Sequence, residues 1–416
     1  MLSLSALLLW CTAPSVAAFG HSLLADFGFR PGYLNLNHGS YGSVPRVVTE
    51  NQSGWIRQVE ESPDAWYRSS LGLRDVYDFQ DDVRARMAAY INAGFNDTVF
   101  VENASNGVNA VLRSLARAMP PGKKILLLNT AYYMVKMVLQ YLEPEQTLFV
   151  NISLPGSDAN IIATVEAALV ANQGNIYAAS FSHIVSVPGF ILPVAELISI
   201  SHAHGAMVLI DGAHALGQIP VDVAALNADF WLGNGHKWLY SPKGSAILWV
   251  RPDRQSLIEP TTISWEGRGA THFQLAFSYV GTTDNTRVLA MGAALDYRAS
   301  IGSEAAIMRY MHDLAVSGGQ ALAAAWGTEV LFQDDTDRIG AMVDVRVPTT
   351  NATLVSLMGP ALMTRFNTFV PVYDLFNVGG STPNTFYARV SAQVYLEISD
   401  FEFLASAVKD IIAVGG

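Results

Sequence analysis

The stretch Met207-Val208-Leu209-Ile210-Asp211-Gly212-Ala213-His214 decides the fold of this chain. It begins with an apolar run short enough to be a buried strand, and a carboxylate stands at the end of that strand. In open α/β sheets, the groups that bind ligands collect just beyond the carboxyl ends of the strands. Asp211 is therefore predicted to belong to a ligand site, as are Asn103 and Ser182-His183, which also follow candidate strands.

Short apolar runs alternate with amphipathic segments from Ile125 to Val250. Further strands are predicted over Lys124–Leu128, Gln146–Val150, Asn175–Ser180 and Ser245–Val250, the last at an antiparallel edge of the sheet. Helices are predicted over Ala159–Asn172 and Val194–His204, with Gly174 and Gly205 at their C-caps. Strands that alternate with helices predict an α/β fold, in which a mostly parallel sheet is covered on both faces.

The pattern changes after about residue 290. A long helix is predicted over Arg287–Ile301, and strands are predicted near Ala341–Val347 and Tyr387–Val390. This mixture is typical of a smaller α+β domain. The sequence thus predicts a possible signal peptide over residues 1–20, an N-terminal arm and large domain over 21–288, and a small C-terminal domain over 289–416.

The composition excludes some classes of protein. The chain has 416 residues, of which half are apolar and 15% are charged, so a large core and two domains are expected. Its net charge is −11, and no run of Lys and Arg interrupts this acidic balance. Nucleic acid is therefore not an expected partner.

Residues 1–20 are typical of a secretory signal. The apolar run Leu4–Trp10 precedes Val16-Ala17-Ala18, which places small residues before a cleavage site at Phe19. No Lys or Arg precedes the run, so a buried or artefactual extension is the alternative, and the location, secretory pathway or cytoplasm, stays open. The chain's one cysteine, Cys11, lies in this segment, so no disulfide can form within the chain and no thiol is available in the rest of it.

A second stretch, Asn234-Gly235-His236-Lys237-Trp238, complements Asp211. A lysine among small and bulky apolar neighbours is desolvated, which lowers its pKa and makes its amine a nucleophile. Lys237 is predicted to hold pyridoxal 5'-phosphate as a Schiff base, and Asp211 to keep the pyridine nitrogen protonated so that the ring accepts electrons. The alternatives are a solvated surface lysine, as predicted for Lys243, and an N-cap role for Asp211.

The segment Glu102-Asn103-Ala104-Ser105-Asn106-Gly107 enters a helix predicted over Val108–Ala118. Backbone N–H groups at a helix start bind phosphate together with hydroxyls, and an ordinary N-cap is the alternative. The segment has no Walker lysine and no GxGxxG, so nucleotide binding is not supported. His202 and His204 lie at a helix end without a third ligand nearby, and no metal site is predicted.

These motifs resemble the class V aminotransferase family of pyridoxal phosphate enzymes (fold type I), and within it the isopenicillin N epimerase-like branch. The resemblance runs from Tyr33 to Val408 and implies a homodimer with its active sites at the interface. Beside the two stretches around Asp211 and Lys237, it rests on Leu36-Asn37-His38-Gly39-Ser40-Tyr41-Gly42, Glu61-Ser62-Pro63, Asn103-Ala104-Ser105, Ser182-His183-Ile184-Val185-Ser186, Gly281-Thr282-Thr283-Asp284 and Arg389-Val390-Ser391.

The resemblance implies a role for each matched residue. Lys237, once displaced by substrate, would take the α-proton, while His214 and Ser186 would approach the phenolic oxygen of the cofactor. Thr282 would reach the phosphate bound to the neighbouring subunit. The residues around the phosphate of the same subunit would be Ala104, Ser105, Asn234 and His236.

The resemblance also implies how substrate is bound. Arg389 would clamp the substrate carboxylate with its bidentate guanidinium, and Asn37 would contact the substrate as well. Tyr132 would lie beside the cofactor ring, and an ordinary core tyrosine is the alternative.

Three reactions begin with removal of the α-proton: epimerisation, transamination and loss of a β-sulfur group. A persulfide-forming desulfurase needs a thiolate near the ring, and Cys11 lies outside the catalytic body. A β-eliminating C–S lyase needs only Lys237 as base and an acid such as Tyr132 for the leaving sulfur. We therefore predict a C–S lyase for cysteine or a cysteine conjugate, with an amino-acid epimerase or aminotransferase as the alternative.

Overall fold

The computed structural model describes residues 19–142, 144–263 and 273–415. Residues 1–18 of the predicted signal segment, which include Cys11, lie outside the described residues. Among the helices of the described ranges, none combines the length and the apolar character that crossing a membrane requires.

The strands of these ranges form two sheets. They are β1 (Thr98–Val101), β2 (Lys124–Leu128), β3 (Thr147–Val150), β4 (Ile176–Ser182), β5 (Met207–Asp211), β6 (Phe230–Asn234), β7 (Ala246–Val250), β8 (Met342–Arg346), β9 (Val372–Asp374) and β10 (Phe386–Ser391).

The α-helices lie between and around these strands. They are α1 (His38–Tyr41), α2 (Arg46–Glu61), α3 (Pro63–Tyr67), α4 (Val76–Tyr90), α5 (Ala104–Ala118), α6 (Tyr133–Leu142), α7 (Asp158–Ala171), α8 (Val194–Ala203), α9 (Val223–Leu226), α10 (Phe273–Ser278), α11 (Thr286–Leu289), α12 (Met291–Ile301), α13 (Glu304–Trp326), α14 (Ala352–Phe366) and α15 (Ile398–Val414).

The larger sheet has the strand order β1-β7-β6-β5-β4-β2-β3. The strands β2 to β6 pair in parallel with one another, whereas β7 is antiparallel to both β6 and β1. The prediction of a mostly parallel α/β sheet is confirmed. The prediction that Ser245–Val250 forms an edge strand is wrong, because β1 pairs along its outer side. Every residue of β7 is buried, as its apolar sequence requires of an interior strand.

Helices cover the larger sheet on both faces. Side chains of one strand alternate between the faces, so Val208 and Ile210 of β5 belong to one hydrophobic core and Leu209 belongs to the other. The helices α7 and α8 pack into the first core, and α5 and α6 pack into the second.

The smaller sheet is antiparallel, with the order β8-β10-β9. Its strands β8 and β10 pack against α13, which packs against α15, and α15 packs against α14. The two strands predicted in this part of the chain correspond to β8 and β10. The helix predicted over Arg287–Ile301 is observed as two consecutive helices, α11 and α12, that meet at Ala290. The domain boundary at residue 289 stays a prediction.

The topology brings several strand ends together. The parallel strands β4, β5 and β6 lie side by side and end at Ser182, Asp211 and Asn234. The strand β1 ends at Val101, and α5 begins shortly after it at Ala104. The carboxyl edge of the sheet is therefore where a ligand site is expected.

Candidate active site

A cavity of about 340 Å³ opens at this edge, within the roughly 300–1,000 Å³ of small-molecule sites. Nine of the residues predicted from the sequence line it: Lys237, Asp211, His214, Ala104, Ser105, Ser186, Asn234, His236 and Tyr132. Thr282 is exposed and lies outside this lining. The structure thus gathers these nine residues from five separate segments of the chain around one space.

The amine of Lys237 lies inside the cavity. Its Nζ is 3.0 Å from Nε2 of His214. Desolvation lowers the pKa of Lys237 to about 7, and the charge of Arg389 adds to this effect while Asp211 opposes it. Near neutral pH a large share of the amine therefore keeps the lone pair that a nucleophile or a base needs.

The carboxylate of Asp211 is buried at the end of β5, where its Oδ1 accepts a hydrogen bond of 3.0 Å from the N–H of Ala213. Burial raises the pKa of Asp211, and the Ala213 N–H and the charge of Lys237 oppose that rise. A cationic ligand nitrogen beside it would stabilise the charged form. The absence of a side chain at Gly212 lets the end of β5 pack against the indole of Trp231, since a Cβ there would lie 2.5 Å from Cζ2 of that ring.

The start of α5 closes another side of the cavity. Asn103 caps the helix by accepting from the N–H of Asn106 at 2.9 Å, and the N–H of Ala104 donates to Oδ1 of Asn234 at 2.8 Å. Ser105 follows Ala104 and precedes Asn106 in this turn, and it lines the cavity. Ala104 and Asn234 thus hold the helix start in place, and Ser105 is the residue of this turn best placed to bind an anion.

His236 lies beside this anion site. Its Nδ1 is 3.3 Å from the carbonyl oxygen of Ser245. Burial first, and then the charge of Lys237, lower the pKa of His236 to about 4. The side chain is therefore a neutral polar group of the cavity wall.

Arg389 is buried on β10 and held by four hydrogen bonds. Its Nη1 donates to the carbonyl oxygen of Ser186 at 2.6 Å and to the hydroxyl at 3.3 Å. Its Nη2 donates to Oδ1 of Asn37 at 3.0 Å and to Oγ of Ser40 at 2.9 Å. Among the described residues, no group accepts from its buried Nε. The guanidinium is thus held in one orientation by its two terminal nitrogens.

These contacts refine the predicted roles of Asn37 and Ser186. Both lie against Arg389, so the structure places them as supports of the arginine. Ser186 also lines the cavity, whereas Asn37 does not. Asp344 faces Arg389 across the β8–β10 ladder, and burial raises the pKa of this carboxyl to about 6.

The backbone of Lys237 is fixed by a chain of hydrogen bonds that the sequence interpretation missed. Nδ2 of Asn35 donates to the hydroxyl of Tyr395 at 2.9 Å, and that hydroxyl lies 2.9 Å from Nδ1 of His38. Nε2 of His38 then lies 2.8 Å from the carbonyl oxygen of Lys237. Gly42 allows this close approach, because a Cβ there would lie 1.8 Å from the carbonyl oxygen of His236.

Other residues of the site were also missed. Ser40 and His38 lie within Leu36–Gly42, and their polar side chains in a motif already quoted were the available signal. Lys243 was predicted to be a surface charge. It is exposed, but it also lines the cavity, and its Nζ donates to the carbonyl oxygen of Gly42 at 3.2 Å.

The donor set fits pyridoxal 5'-phosphate. The cavity offers an amine with a lowered pKa for the aldehyde, a buried carboxylate for a ring nitrogen and a helix start for a phosphate. Arg389 does not line the cavity, but it stands close enough to Lys237 for its charge to lower the pKa of that amine. Together with the α/β fold, these groups define the class of pyridoxal phosphate enzymes.

Comparison with known proteins identifies the family. The model described as "Aminotransferase class-V" matches residues 70–359. This chain belongs to the class V aminotransferase family. The predictions of family, fold class and cofactor are confirmed.

Relatives in the same branch cover nearly the whole chain. The "L-cysteine desulfhydrase-like protein lolT1" of Epichloe uncinata is 30% identical, over 94% of this chain and 96% of its own. The "Hercynylcysteine sulfoxide lyase" of Schizosaccharomyces pombe is 27% identical, over 95% and 98%. The "Isopenicillin N epimerase" of Amycolatopsis lactamdurans is 29% identical, over 92% and 96%.

Solved structures share the fold. The apo cysteine desulfurase of Thermococcus onnurineus superimposes with a TM-score of 0.77 at 19% identity, over 95% of this chain and 98% of that one. The cystine C–S lyase C-DES, in complex with cysteine persulfide, gives a TM-score of 0.75 at 19% identity, over 94% and 99%.

Proposed function

We propose that this protein is a pyridoxal phosphate-dependent C–S lyase that acts on L-cysteine or a cysteine conjugate. The observation that carries the proposal is the cavity amine of Lys237, whose pKa is lowered to about 7 and which lies near the clamped Arg389. The sequence from residue 12 to residue 416 contains no cysteine. A lysine base without a nearby thiol suits β-elimination, because persulfide transfer requires a thiolate.

Residues in and beside the cavity have separate roles in this proposal. Bound pyridoxal phosphate supplies an electron sink for the electron pair left when the Cα–H bond breaks. Arg389 holds the substrate carboxylate, and Lys237 takes the α-proton. Asp211 would pair with the pyridine nitrogen, while Ser105 and His236 would hold the phosphate.

Tyr132 completes the reaction at the sulfur. It lines the cavity, and half of its surface is exposed. Its phenol donates a proton to the leaving sulfur as the Cβ–S bond breaks. With L-cysteine and water, the products are hydrogen sulfide, pyruvate and ammonia, and a conjugate releases its thiol instead.

The relatives support this choice and also provide the second candidate. The names of two of them, a desulfhydrase-like protein and a sulfoxide lyase, agree with C–S cleavage. Epimerisation or transamination is the second candidate, because an isopenicillin N epimerase is a relative of similar identity and both reactions start from the same α-proton.

The products decide between these reactions. Purified protein with pyridoxal phosphate is incubated with L-cysteine, with S-conjugates of cysteine and with their sulfoxides. Pyruvate and released thiol are expected from at least one of them, and the Lys237→Ala variant should form neither. If no sulfur substrate yields pyruvate, while a D-amino acid or a keto acid accumulates, the lyase proposal is wrong and the second candidate takes its place.

A further inference from the structure

His214 lies between Lys237 and an indole outside the cavity. The Nε1 of Trp238 is 3.3 Å from Nδ1 of His214, and Nε2 of the same imidazole is 3.0 Å from Nζ of Lys237. Trp238 and His214 are both buried, and Trp238 does not line the cavity. The imidazole therefore contacts the indole through one nitrogen and the amine through the other.

The chemistry of the indole determines where His214 carries its hydrogen. An indole N–H can only donate, so Nδ1 of His214 has to accept. Burial lowers the pKa of His214 well below its usual range, which leaves the imidazole neutral with a single N–H. That hydrogen must then be on Nε2, the nitrogen that faces Lys237.

We propose that Trp238 is a positioning residue that fixes His214 in the tautomer with hydrogen on Nε2. In this tautomer Nε2 donates to Nζ of Lys237, which accepts only as an uncharged amine. The opposite tautomer would present a lone pair to Nζ and favour the ammonium form. The indole N–H thus acts through His214 on the charge of the nucleophile.

The same tautomer also suits the bound cofactor, a step that rests on the proposed function. The phenolic oxygen of pyridoxal phosphate is an acceptor, and His214 is the residue expected to approach it. With hydrogen on Nε2, His214 would donate to that oxygen, whereas the opposite tautomer would repel it.

The indole is itself held firmly. The carbonyl oxygen of Trp238 accepts from Nη1 of Arg298 at 2.7 Å, and its ring packs on that of His38 with 5.3 Å between centroids. Gly39 leaves room for it, because a Cβ there would lie 3.1 Å from Cζ2 of Trp238. The donor is therefore in place before any ligand binds.

The chain contains a matched control. The Nε1 of Trp231 donates to Nδ1 of His183 at 3.4 Å, and both residues are buried. Burial also lowers the pKa of His183, to about 4. This pair repeats the same contact, but neither residue lines the cavity. Trp231→Phe thus removes an equivalent bond without touching His214.

The tautomer is measured directly by ¹⁵N NMR of the histidine side chains. The full chain is labelled with ¹⁵N-histidine, freed of cofactor with hydroxylamine, and the His214 signals are assigned from their loss in His214→Gln. The hydrogen of His214 is expected on Nε2. In Trp238→Phe it should shift wholly or partly to Nδ1, and in Trp231→Phe only the His183 signals should change.

The charge of Lys237 provides a second readout that needs no enzymatic activity. Competitive acetylation and mass spectrometry report the pKa of its amine, with exposed Lys409 as the internal reference. Loss of the indole N–H should raise this pKa by about 1 unit, the scale of one hydrogen bond. Trp231→Phe should leave it unchanged.

A variant that keeps the shape of the side chain separates packing from hydrogen bonding. Replacing the Trp238 indole by benzothiophene removes only the N–H, and this replacement stands in if Trp238→Phe does not fold. Hydrogen on Nδ1 of His214 in the unaltered protein would overturn the proposal. The proposal would also be overturned if removal of the indole N–H changed neither the tautomer of His214 nor the pKa of Lys237. Neither result depends on pyruvate formation, so the lyase proposal is tested separately.

Discussion

At the residue scale, the amine of Lys237 makes a prediction about pH. Burial lowers its pKa to about 7, so the amine loses its charge as the pH rises through that value. Only the uncharged form attacks an aldehyde. In cofactor-free protein, capture of pyridoxal phosphate should rise about tenfold per pH unit below about 7 and level off above it. Stopped-flow absorbance of the imine measures the rate.

Two variants serve as the negative and the positive control for this experiment. Lys237→Ala should capture no cofactor that borohydride can trap, whereas Lys409→Ala, an exposed lysine on α15, should behave like the unaltered protein. A midpoint near the ordinary lysine value, or borohydride labelling at another lysine, would show that Lys237 is not the desolvated nucleophile.

Arg389 makes a second prediction at this scale. Its two terminal nitrogens are fixed by Ser186, Asn37 and Ser40, an arrangement that a lysine cannot reproduce. Arg389→Lys should lower kcat/KM for an amino-acid substrate by roughly tenfold to a hundredfold, which corresponds to about 1.5–3 kcal/mol for a charge-assisted hydrogen bond. Steady-state kinetics measure the change.

Arg346 supplies the control for Arg389. It lies at the end of β8 in the same sheet and forms an exposed ion pair with Glu329. Exposed pairs contribute little, so Arg346→Lys should leave kcat/KM within about twofold. Equal effects of the two substitutions would indicate a general loss of stability instead of a lost carboxylate clamp.

At the scale of elements, α12 is joined to the loop after Lys237 by one fully buried arginine. Arg298 on α12 forms an ion pair of 2.5 Å with Glu304. Its guanidinium also donates to the carbonyl oxygens of Trp238 and Gly217, at 2.7 Å and 3.0 Å. Removing one partner of a buried pair leaves the remaining groups unpaired. Glu304 is partly exposed, so the main cost is the loss of a donor to the two buried carbonyl oxygens. Arg298→Leu should therefore lower the free energy of unfolding by about 2–3 kcal/mol, as measured by denaturant titration.

Arg309→Leu is the matched control for this substitution. Arg309 is exposed on α13, and its ion pair with Asp313 is long, at 3.9 Å. Its loss should change the free energy of unfolding by less than about 0.5 kcal/mol. If Arg298→Leu is equally mild, the arginine does not hold the loop as the contacts suggest.

The elements also show what local sequence can and cannot predict. The strands β2 to β5 and the helices α7 and α8 were predicted within two residues, because apolar runs and periodicity are local signals. The position of β7 was not, because an apolar strand does not reveal which strand pairs with its far side. The break at Ala290 was missed because α11 and α12 continue one apolar pattern.

The same distinction applies to the site. The placement of Lys237 and Asp211 at a ligand cavity could be predicted, because their own neighbours are apolar and a buried charge there needs a ligand, whereas their roles stay predictions. The supports of Arg389 could not be predicted from spacing, since Asn37, Ser186 and Arg389 meet only after folding. The contact between Trp238 and His214 likewise joins two stretches through a tertiary contact.

At the scale of the whole molecule, the surface around the cavity predicts a homodimer. Tyr41 and Tyr133 are 74% and 72% exposed, and each is the neighbour in sequence of a residue that lines the cavity. Large exposed aromatic side chains at a cavity rim favour a protein interface. We expect a mass twice that of the 45.0 kDa chain in sedimentation equilibrium. The mass of a single chain at working concentration would contradict this.

The dimer gives Thr282 a testable role in the partner's site. Thr282 is exposed and lies outside the cavity of its own chain, as expected of a residue that reaches the phosphate bound by the other subunit. Thr282→Ala should weaken cofactor binding, and Lys237→Ala should abolish the borohydride-trapped imine.

A hybrid dimer that combines one Thr282→Ala subunit with one Lys237→Ala subunit tests this role. One of its two sites has both residues intact only if Thr282 acts across the interface. Mixing equal amounts through unfolding and refolding should restore about a quarter of the wild-type sites at limiting cofactor. If mixing restores none, Thr282 serves its own subunit or no site at all, because no hybrid site would then be complete.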